Sequence, residues 1–143
     1  MSTPDLQDVL EQYQRALNAF VQGDPELAKT LFSRHDDVTL ANPFGPPARG
    51  WNQVEQAMED AASQIREGEP TRFELISRYA TADLAYTLEI ERVRAKVGGS
   101  AEMGEISLRV TTVFRREEGD WKIVHRHADP ITSPRQPGSI LEQ

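Results

Sequence analysis

The sequence predicts an α+β fold in which three N-terminal helices pack into a curved antiparallel sheet, so that the whole forms a cone. Apolar residues recur at intervals of three or four up to about residue 65, and at intervals of two from residue 71 onward. The chain has 143 residues, which is the length of one domain with a single core. Helices followed by long strands bury their apolar faces together only if the sheet bends around the helices.

Three helices are predicted in the first half of the chain. Thr3-Pro4-Asp5 is a helix start signal, and the apolar stripe that follows it ends at Gly23. Asp24-Pro25-Glu26 repeats the signal for a shorter second helix. The third helix follows Gly50.

One short strand is predicted over residues 37–42, and four long strands follow residue 71. The long strands show period-two alternation, over residues 73–79, 84–90, 106–114 and 121–127. Gly98-Gly99 and residues 117–120 predict turns, so these strands form an antiparallel meander. We therefore expect residues 1–130 to form a single domain and the proline-containing residues 131–143 to be a loosely ordered tail.

The composition is that of a globular protein with an acidic surface. The net charge of -7 opposes binding to a phosphate backbone, so nucleic acid is not an expected partner. The chain has no cysteine, which excludes disulfides and thiolate metal sites. No apolar run is long enough for a membrane helix and no secretory signal is apparent, so we expect a cytoplasmic protein without a membrane partner.

Three consecutive motifs in the first half of the chain resemble a known family. Residues 36–40 (DDVTL) lead to 42–45 (NPFG), and 46–50 (PPARG) precede the third helix, as in ketosteroid isomerases and SnoaL-like polyketide cyclases. Residues 119–127 (GDWKIVHRH) are similar to the last strand of many SnoaL-like proteins. The resemblance spans roughly residues 5–129 and implies an NTF2-like cone enclosing a pocket for a small molecule.

The resemblance also implies where a steroid isomerase would hold its catalytic groups. The general base of that family is an aspartate, and here Asn42 occupies its position. A carboxamide does not accept and return a proton at neutral pH. Tyr13 lies about one helical turn before the family's tyrosine, and the strand acid is replaced by Thr111-Thr112-Val113. We therefore predict no steroid isomerase activity, and the apolar stripe of the first helix also accounts for Tyr13.

Alternation along the strands brings a second set of polar residues together. Arg109 and Thr111 share one face of the third long strand, and His125 and His127 share one face of the fourth. Counting from the turn at residues 117–120 places Arg109 and Thr111 near the level of His125 and His127. If their faces coincide, these four side chains meet.

Glu89 and Glu91 are then the natural cross-strand partners of Arg109. In one interpretation the cluster is catalytic, with Arg109 as a fixed cation and His127 or His125 as the proton carrier. In the other it is a structural network of satisfied ion pairs. A His-x-His metal site is a weaker alternative, and we expect no metal and no cofactor.

The expected pocket is completed by side chains from several elements. Trp51 is either a core anchor or a stacking surface for a ligand. An epoxide hydrolase would need an Asp-Arg-Asp set, for which the chain offers Asp83, Arg109 and Asp129 without supporting spacing. The predicted pocket lining consists of Tyr13, Asn42, Trp51, Tyr86, Glu89 and Thr111.

Two functions remain open on these grounds. The first is isomerase, cyclase or hydratase chemistry on a small hydrophobic carbonyl compound, by acid and base catalysis without a cofactor. The second is a non-catalytic ligand-binding or dimerisation module, because a fold does not fix a function. We also expect a homodimer formed through the sheet, because Val93, Val113 and Val124 would otherwise leave an apolar face uncovered.

Overall fold

The computed structural model describes residues 5–142, which form three helices, seven strands and a short 3₁₀ helix. The helices are α1 (Leu6–Phe20), α2 (Glu26–Thr30) and α3 (Trp51–Ala62), and Pro137–Ile140 is the 3₁₀ helix. The strands are β1 (Thr39–Ala41), β2 (Ala48–Arg49), β3 (Ile65–Arg66), β4 (Arg72–Ala80), β5 (Leu84–Val97), β6 (Gly104–Glu117) and β7 (Asp120–Asp129). The predicted α+β cone is confirmed.

The sheet curls around the helices in the order β2-β1-β7-β6-β5, and both β3 and β4 pair with β5. The four long strands β4 to β7 form the expected antiparallel meander. The short strand β1 pairs with β7 in parallel, which makes the sheet mixed rather than purely antiparallel. Because α1 and α3 lie within the curl, one face of each long strand points to the interior.

Helix α1 is capped by Asp5, the last residue of the predicted start signal. The Asp5 carboxylate accepts a hydrogen bond from the Asp8 backbone N–H at 2.9 Å, while Asp8 bonds back to Asp5. This reciprocal arrangement satisfies backbone donors at the helix start. Thr3 and Pro4, the other members of the predicted start signal, lie outside the described residues.

Large apolar side chains fill the end of the cone where β6 turns into β7. Phe114 and Ile123 are fully buried there against Val38, with Phe32 and Trp121 nearby in the same core. Close packing at this end closes the cone. The interior remains open toward the other end, where the middle of β5 faces the end of α1.

Strand β7 contains a bulge that changes which residues face the interior. Val113 of β6 pairs with His125, whereas the next residue, Phe114, pairs with Ile123. Val124 therefore has no partner on β6. One extra residue in a strand reverses the alternation of side chains beyond it.

The bulge overturns part of the predicted geometry of β7. Before it, Trp121 and Ile123 point inward as expected. Beyond it, the inward positions are Arg126 and Ala128, and His127 is exposed on the outer face. The prediction that residues 121, 123, 125, 127 and 129 share one face is therefore wrong, because it assumes unbroken alternation.

Strand β5 keeps its alternation over its full length and presents Glu89, Glu91 and Val93 to the interior. The prediction that Val93 lies on the outer face is wrong, since it is buried and lines the cavity. Tyr86 points outward, opposite Val113 of β6. The outer face thus carries polar and apolar residues side by side.

Candidate ligand-binding site

A cavity of about 270 Å³ occupies the open part of the cone. This is close to the lower end of the range typical of ligand sites, roughly 300–1,000 Å³. Its walls are almost entirely apolar and come from α1, α2, α3, the long strands and the loop after β1. They include Leu17, Phe20, Leu40, Met58, Val93, Ile106 and Leu108.

Three polar side chains from three different elements meet at one side of this cavity. The Tyr13 hydroxyl of α1 donates to Glu91 Oε2 of β5 at 2.5 Å. Arg126 of β7 donates from Nη2 to Glu91 Oε1 at 2.9 Å, and from Nε to the Tyr13 hydroxyl at 3.0 Å. We call Tyr13, Glu91 and Arg126 the polar triad.

The local structure of each element explains how the polar triad forms. Tyr13 lies on the buried stripe of α1, together with Val9 and Ala16. Glu91 occupies an inward position of β5. Arg126 reaches the interior only because the bulge at Val124 precedes it.

Burial sets the charge states within the polar triad. Desolvation of its phenol raises the pKa of Tyr13 well above the usual value, and the negative charge of Glu91 adds to this rise. Tyr13 is therefore a neutral hydrogen-bond donor. Desolvation works to lower the pKa of Arg126, but Tyr13 and Glu91 outweigh it and raise that pKa, so the guanidinium remains charged.

A second buried carboxyl, Glu89, lies two residues before Glu91 on the same face of β5. Desolvation, followed by the charge of Glu91, raises the pKa of Glu89 to about 8. Arg126 offsets this only in part. Glu89 consequently holds its proton at neutral pH, while Glu91 is the carboxyl that Arg126 binds.

The polar triad keeps hydrogen-bonding capacity for a ligand. A guanidinium has five N–H donors, and Arg126 uses two of them among the described residues. A carboxylate offers about four acceptor sites, and Glu91 uses two with Tyr13 and Arg126. Both groups line the cavity, so the remaining donors and acceptors are available to a molecule inside it.

Two further polar residues line the cavity away from the triad. The Asn42 side-chain oxygen accepts from the Phe44 backbone N–H at 2.9 Å, and this bond shapes the loop at the cavity mouth. Phe44 itself lies largely exposed there. The Thr71 hydroxyl is buried and finds no hydrogen-bond partner within residues 5–142.

The residues predicted as a catalytic cluster meet on the outer face of the sheet, away from the cavity. Arg109 binds Asp129 at 2.8 Å, and His127 lies 3.1 Å from the other oxygen of the same carboxylate. His127 pairs directly with Thr111 across the strands because the bulge shifts the register by one residue, whereas an unbroken count from the turn would pair Thr111 with Arg126. The expected ion pair of Arg109 with Glu89 or Glu91 is wrong, because both glutamates point inward.

His125 shares this outer face and lies 2.7 Å from the Thr39 hydroxyl of β1. Partial burial, with a smaller contribution from the charge of His127, lowers the pKa of His125. The pKa of Asp129 is also lowered, because the bond from Arg109 outweighs its desolvation. These groups form a surface network rather than part of the cavity wall.

Only some of the residues predicted to line the pocket are found in its wall. Tyr13 and Asn42 do line it. Glu89 is buried beside Glu91 but does not reach the cavity surface. Thr111 and Tyr86 are on the outer face, and Trp51 packs at the start of α3 with the Arg34 guanidinium 3.5 Å from its ring centre.

Sequence reasoning misses Arg126 as a site residue and names Glu91 only as a partner of Arg109. The available signal was weak but real: Glu89 and Glu91 alternate with Leu88 and Ile90. Two acids at successive positions of one strand face indicate either a solvated face or a buried site that needs a cation. The bulge that brings the cation leaves no mark in the alternation of residue types.

Across residues 5–142, no group of three or more histidine, aspartate and glutamate side chains has the arrangement of a metal site. Within the same range, no helix has the length and apolar character needed to cross a membrane.

Several solved structures share this fold at low sequence identity. A ketosteroid isomerase-like protein from Erwinia carotovora atroseptica superposes with a TM-score of 0.72 at 15% identity, covering 90% of this chain and 97% of that one. A candidate dehydratase of the NTF2-like family from Streptomyces avermitilis gives 0.67 at 21%, covering 88% and 96%. A candidate association domain of calcium/calmodulin-dependent protein kinase type II from Thiobacillus denitrificans gives 0.71 at 18%, covering 92% and 99%.

Sequence comparison assigns the family. No curated protein sequence matches the chain significantly. The SnoaL-like domain family matches residues 9–132, which contain most of α1, the whole of α2 and α3, all seven strands and the whole polar triad. The chain therefore belongs to the SnoaL-like domain family.

Proposed function

We propose that this protein binds a small, largely apolar molecule carrying a carbonyl group in the cavity and moves a proton next to that carbonyl without an organic cofactor. One observation carries the proposal: Arg126 and Glu91, 2.9 Å apart and with spare hydrogen-bonding capacity, lie at the wall of an otherwise apolar cavity. Apolar walls provide the affinity for a ligand, while a few converging polar groups orient it.

The chemistry follows from the character of the two charged groups. Glu91 acts as the general base that takes a proton from the carbon beside the carbonyl. Arg126 donates to the carbonyl oxygen and stabilises the negative charge that develops there. Tyr13 holds the glutamate in place through its hydroxyl and remains neutral.

The names of two structural neighbours agree with this reaction class. One is ketosteroid isomerase-like and another is a candidate dehydratase. Isomerisation and dehydration both require the removal of a proton from a carbon atom. This proposal excludes steroid isomerisation, because Asn42 stands in place of the aspartate that acts as the base. The side-chain oxygen of Asn42 also accepts a hydrogen bond from the Phe44 backbone N–H.

Exchange of protons for deuterium on simple ketones tests the proposal, and it does not require the natural substrate. Aryl methyl ketones of increasing size, with one, two or more rings, are incubated with the protein in deuterated buffer and followed by proton NMR. We expect faster loss of the methyl signal than in buffer alone, and loss of this acceleration in Glu91→Gln. Equal exchange rates with and without the protein, for every ketone that binds, would refute catalysis.

Two matched variants test whether the cavity is the binding site. Leu108 of β6 lines the cavity, whereas its neighbour Ser107 does not. Leu108→Trp fills the cavity and should abolish ketone binding. Ser107→Trp places the same bulk on the opposite face of the same strand and should leave binding unchanged.

A non-catalytic binding protein is the second candidate, and one feature favours it. Each carboxylate oxygen of Glu91 already accepts a hydrogen bond from within the chain. Such a satisfied pair also occurs as a purely structural element. Ketone binding without deuterium exchange would support this candidate over the enzyme.

A further inference from the structure

The cavity wall holds a single matched pair of charges. Among the cavity-lining residues in the described part of the chain, Glu91 is the one acidic residue and Arg126 the one basic residue. They bind each other at 2.9 Å, so the positive charge is already compensated before any ligand enters. The wall therefore differs from an anion site, in which a cation has no internal partner.

The behaviour of Glu89 indicates that a second negative charge is unfavourable beside Glu91. Its carboxyl lies beside Glu91, is almost as deeply buried, and forms no ion pair of its own with any residue between 5 and 142. Burial and the charge of Glu91 raise its pKa to about 8, so it remains neutral at pH 7. A second anion placed next to Glu91 meets the same two penalties, loss of water and like-charge repulsion.

We infer that the cavity selects neutral carbonyl compounds, such as ketones, esters or amides, and rejects the corresponding carboxylates. This inference rests on the proposed function and specifies its substrate class. A neutral carbonyl oxygen accepts one of the three unused N–H donors of Arg126 and leaves the Glu91 pair intact. A carboxylate of the same shape would have to compete with Glu91 for that cation.

Matched amides and carboxylates test the inference, because the two groups share shape and size but differ in charge. Three pairs are titrated at pH 7 by calorimetry: benzamide and benzoate, 2-naphthamide and 2-naphthoate, and 4-phenylbenzamide and 4-phenylbenzoate. For each amide that binds, we expect its carboxylate to bind at least about tenfold more weakly, because juxtaposed like charges are costly. A carboxylate that binds as tightly as its amide would overturn the inference.

A change at Glu91 should reverse the preference. Glu91→Gln removes the internal anion and leaves the Arg126 charge free, so the carboxylate should now bind more tightly than the amide. The matched control is Glu74→Gln, which breaks an exposed Glu–Arg pair with Arg92 and should leave the preference unchanged. Retention of the amide preference in folded Glu91→Gln would overturn the inference.

The outcomes separate this inference from the proposed function. The wild-type comparison decides the inference even if Glu91→Gln does not fold, which its melting curve reports. If none of the amides or aryl ketones binds the wild-type protein, both the proposed function and the inference that rests on it are refuted. If amides and carboxylates bind equally, binding stands and only the selectivity for neutral compounds falls.

Discussion

Arg126 is the residue on which the interior electrostatics depend, since it binds both Glu91 and Tyr13. We predict that Arg126→Met lowers the free energy of unfolding by roughly 3–5 kcal/mol, because it leaves Glu91 buried without its cation. Urea unfolding monitored by circular dichroism measures the change.

The outer-face pair of Arg109 and Asp129 is the natural control for that variant. Arg109 is about half exposed (49%), and water screens its ion pair. Arg109→Met should therefore cost no more than about 1 kcal/mol. Similar losses for the two variants would show that Arg126 contributes little beyond a surface pair.

Glu89 predicts a pH dependence of stability. The ordinary pKa of a glutamate is 4.5, whereas burial and the charge of Glu91 raise the pKa of Glu89 to about 8 in the folded protein. Arg126 opposes this rise, and the Tyr13 hydroxyl donates a hydrogen bond to Glu91. Between these two values the folded state holds a proton that the unfolded state releases. The contribution of Glu89 is thus fully present below pH 4.5 and is lost as the pH rises toward 8.

The variant Glu89→Gln isolates this effect, because an amide remains neutral at every pH. Relative to the wild type, Glu89→Gln should gain stability between about pH 5 and pH 9, by up to a few kcal/mol. The same exchange at the exposed Glu102 is the matched control. A constant difference between wild type and Glu89→Gln over this range would show that Glu89 ionises in the fold without cost.

At the scale of elements, the segment between β3 and β4 closes tightly onto the end of α1. The Gly68 backbone N–H donates to the Val21 carbonyl at 3.0 Å. A methyl group added at Gly68 would overlap Val21 Cγ2 and lie 2.7 Å from the Val21 oxygen. Because one of these atoms belongs to the backbone, a side-chain rotation does not relieve the clash.

We predict that Gly68→Ala destabilises the protein by about 1–3 kcal/mol, the usual cost of overpacking. Gly45→Ala is the control, since a methyl group there meets nothing within 4 Å. Thermal unfolding of the two variants makes the comparison. Equal melting temperatures would mean that the segment shifts away from α1 without cost.

Most of the longer helices and strands could be predicted from the sequence. Periodicity identifies α1, α3 and the four long strands, because apolar residues recur at regular intervals over several turns or residues of each. Counting from the β6–β7 turn places Thr111 near the level of His127, although the direct pairing of the two residues depends on the bulge. Short strands such as β2 and β3 are not predicted, since two residues carry no period.

The candidate site was less predictable, for a specific reason. Its position on β7 depends on one unpaired residue, Val124, which reverses the side-chain direction of everything after it. Neither Val124 nor the residues next to it are of a type that predicts a bulge. Tyr13 lines the cavity and lies on the apolar stripe of α1, which has no such irregularity.

For the whole molecule, we propose that two chains associate through the outer face of the sheet. With a net charge of -7, most surfaces of this protein repel a second copy. The middle of the outer face is different: it carries Leu88, Thr111 and Val113, and its Arg109 is compensated by Asp129. Stacking this face on itself buries apolar surface without opposing like charges.

Light scattering coupled to size-exclusion chromatography tests this association. We expect twice the mass of one chain at micromolar concentration, and one chain mass for Leu88→Lys, because the new charges would face each other across the two-fold axis. Leu27→Lys on the exposed side of α2 is the control and should remain dimeric. A wild-type protein with the mass of a single chain would refute the proposal.

The polar triad joins parts of the chain that are far apart in sequence, and this has a consequence for synthesis on the ribosome. Tyr13 and Arg126 are separated by 113 positions, whereas the hairpins of the meander connect neighbouring segments. Contacts of such long range form late in folding, after the local ones. Until β7 has been synthesised, Glu91 has no cation, so the nascent chain can build most of its sheet before it has a complete binding site.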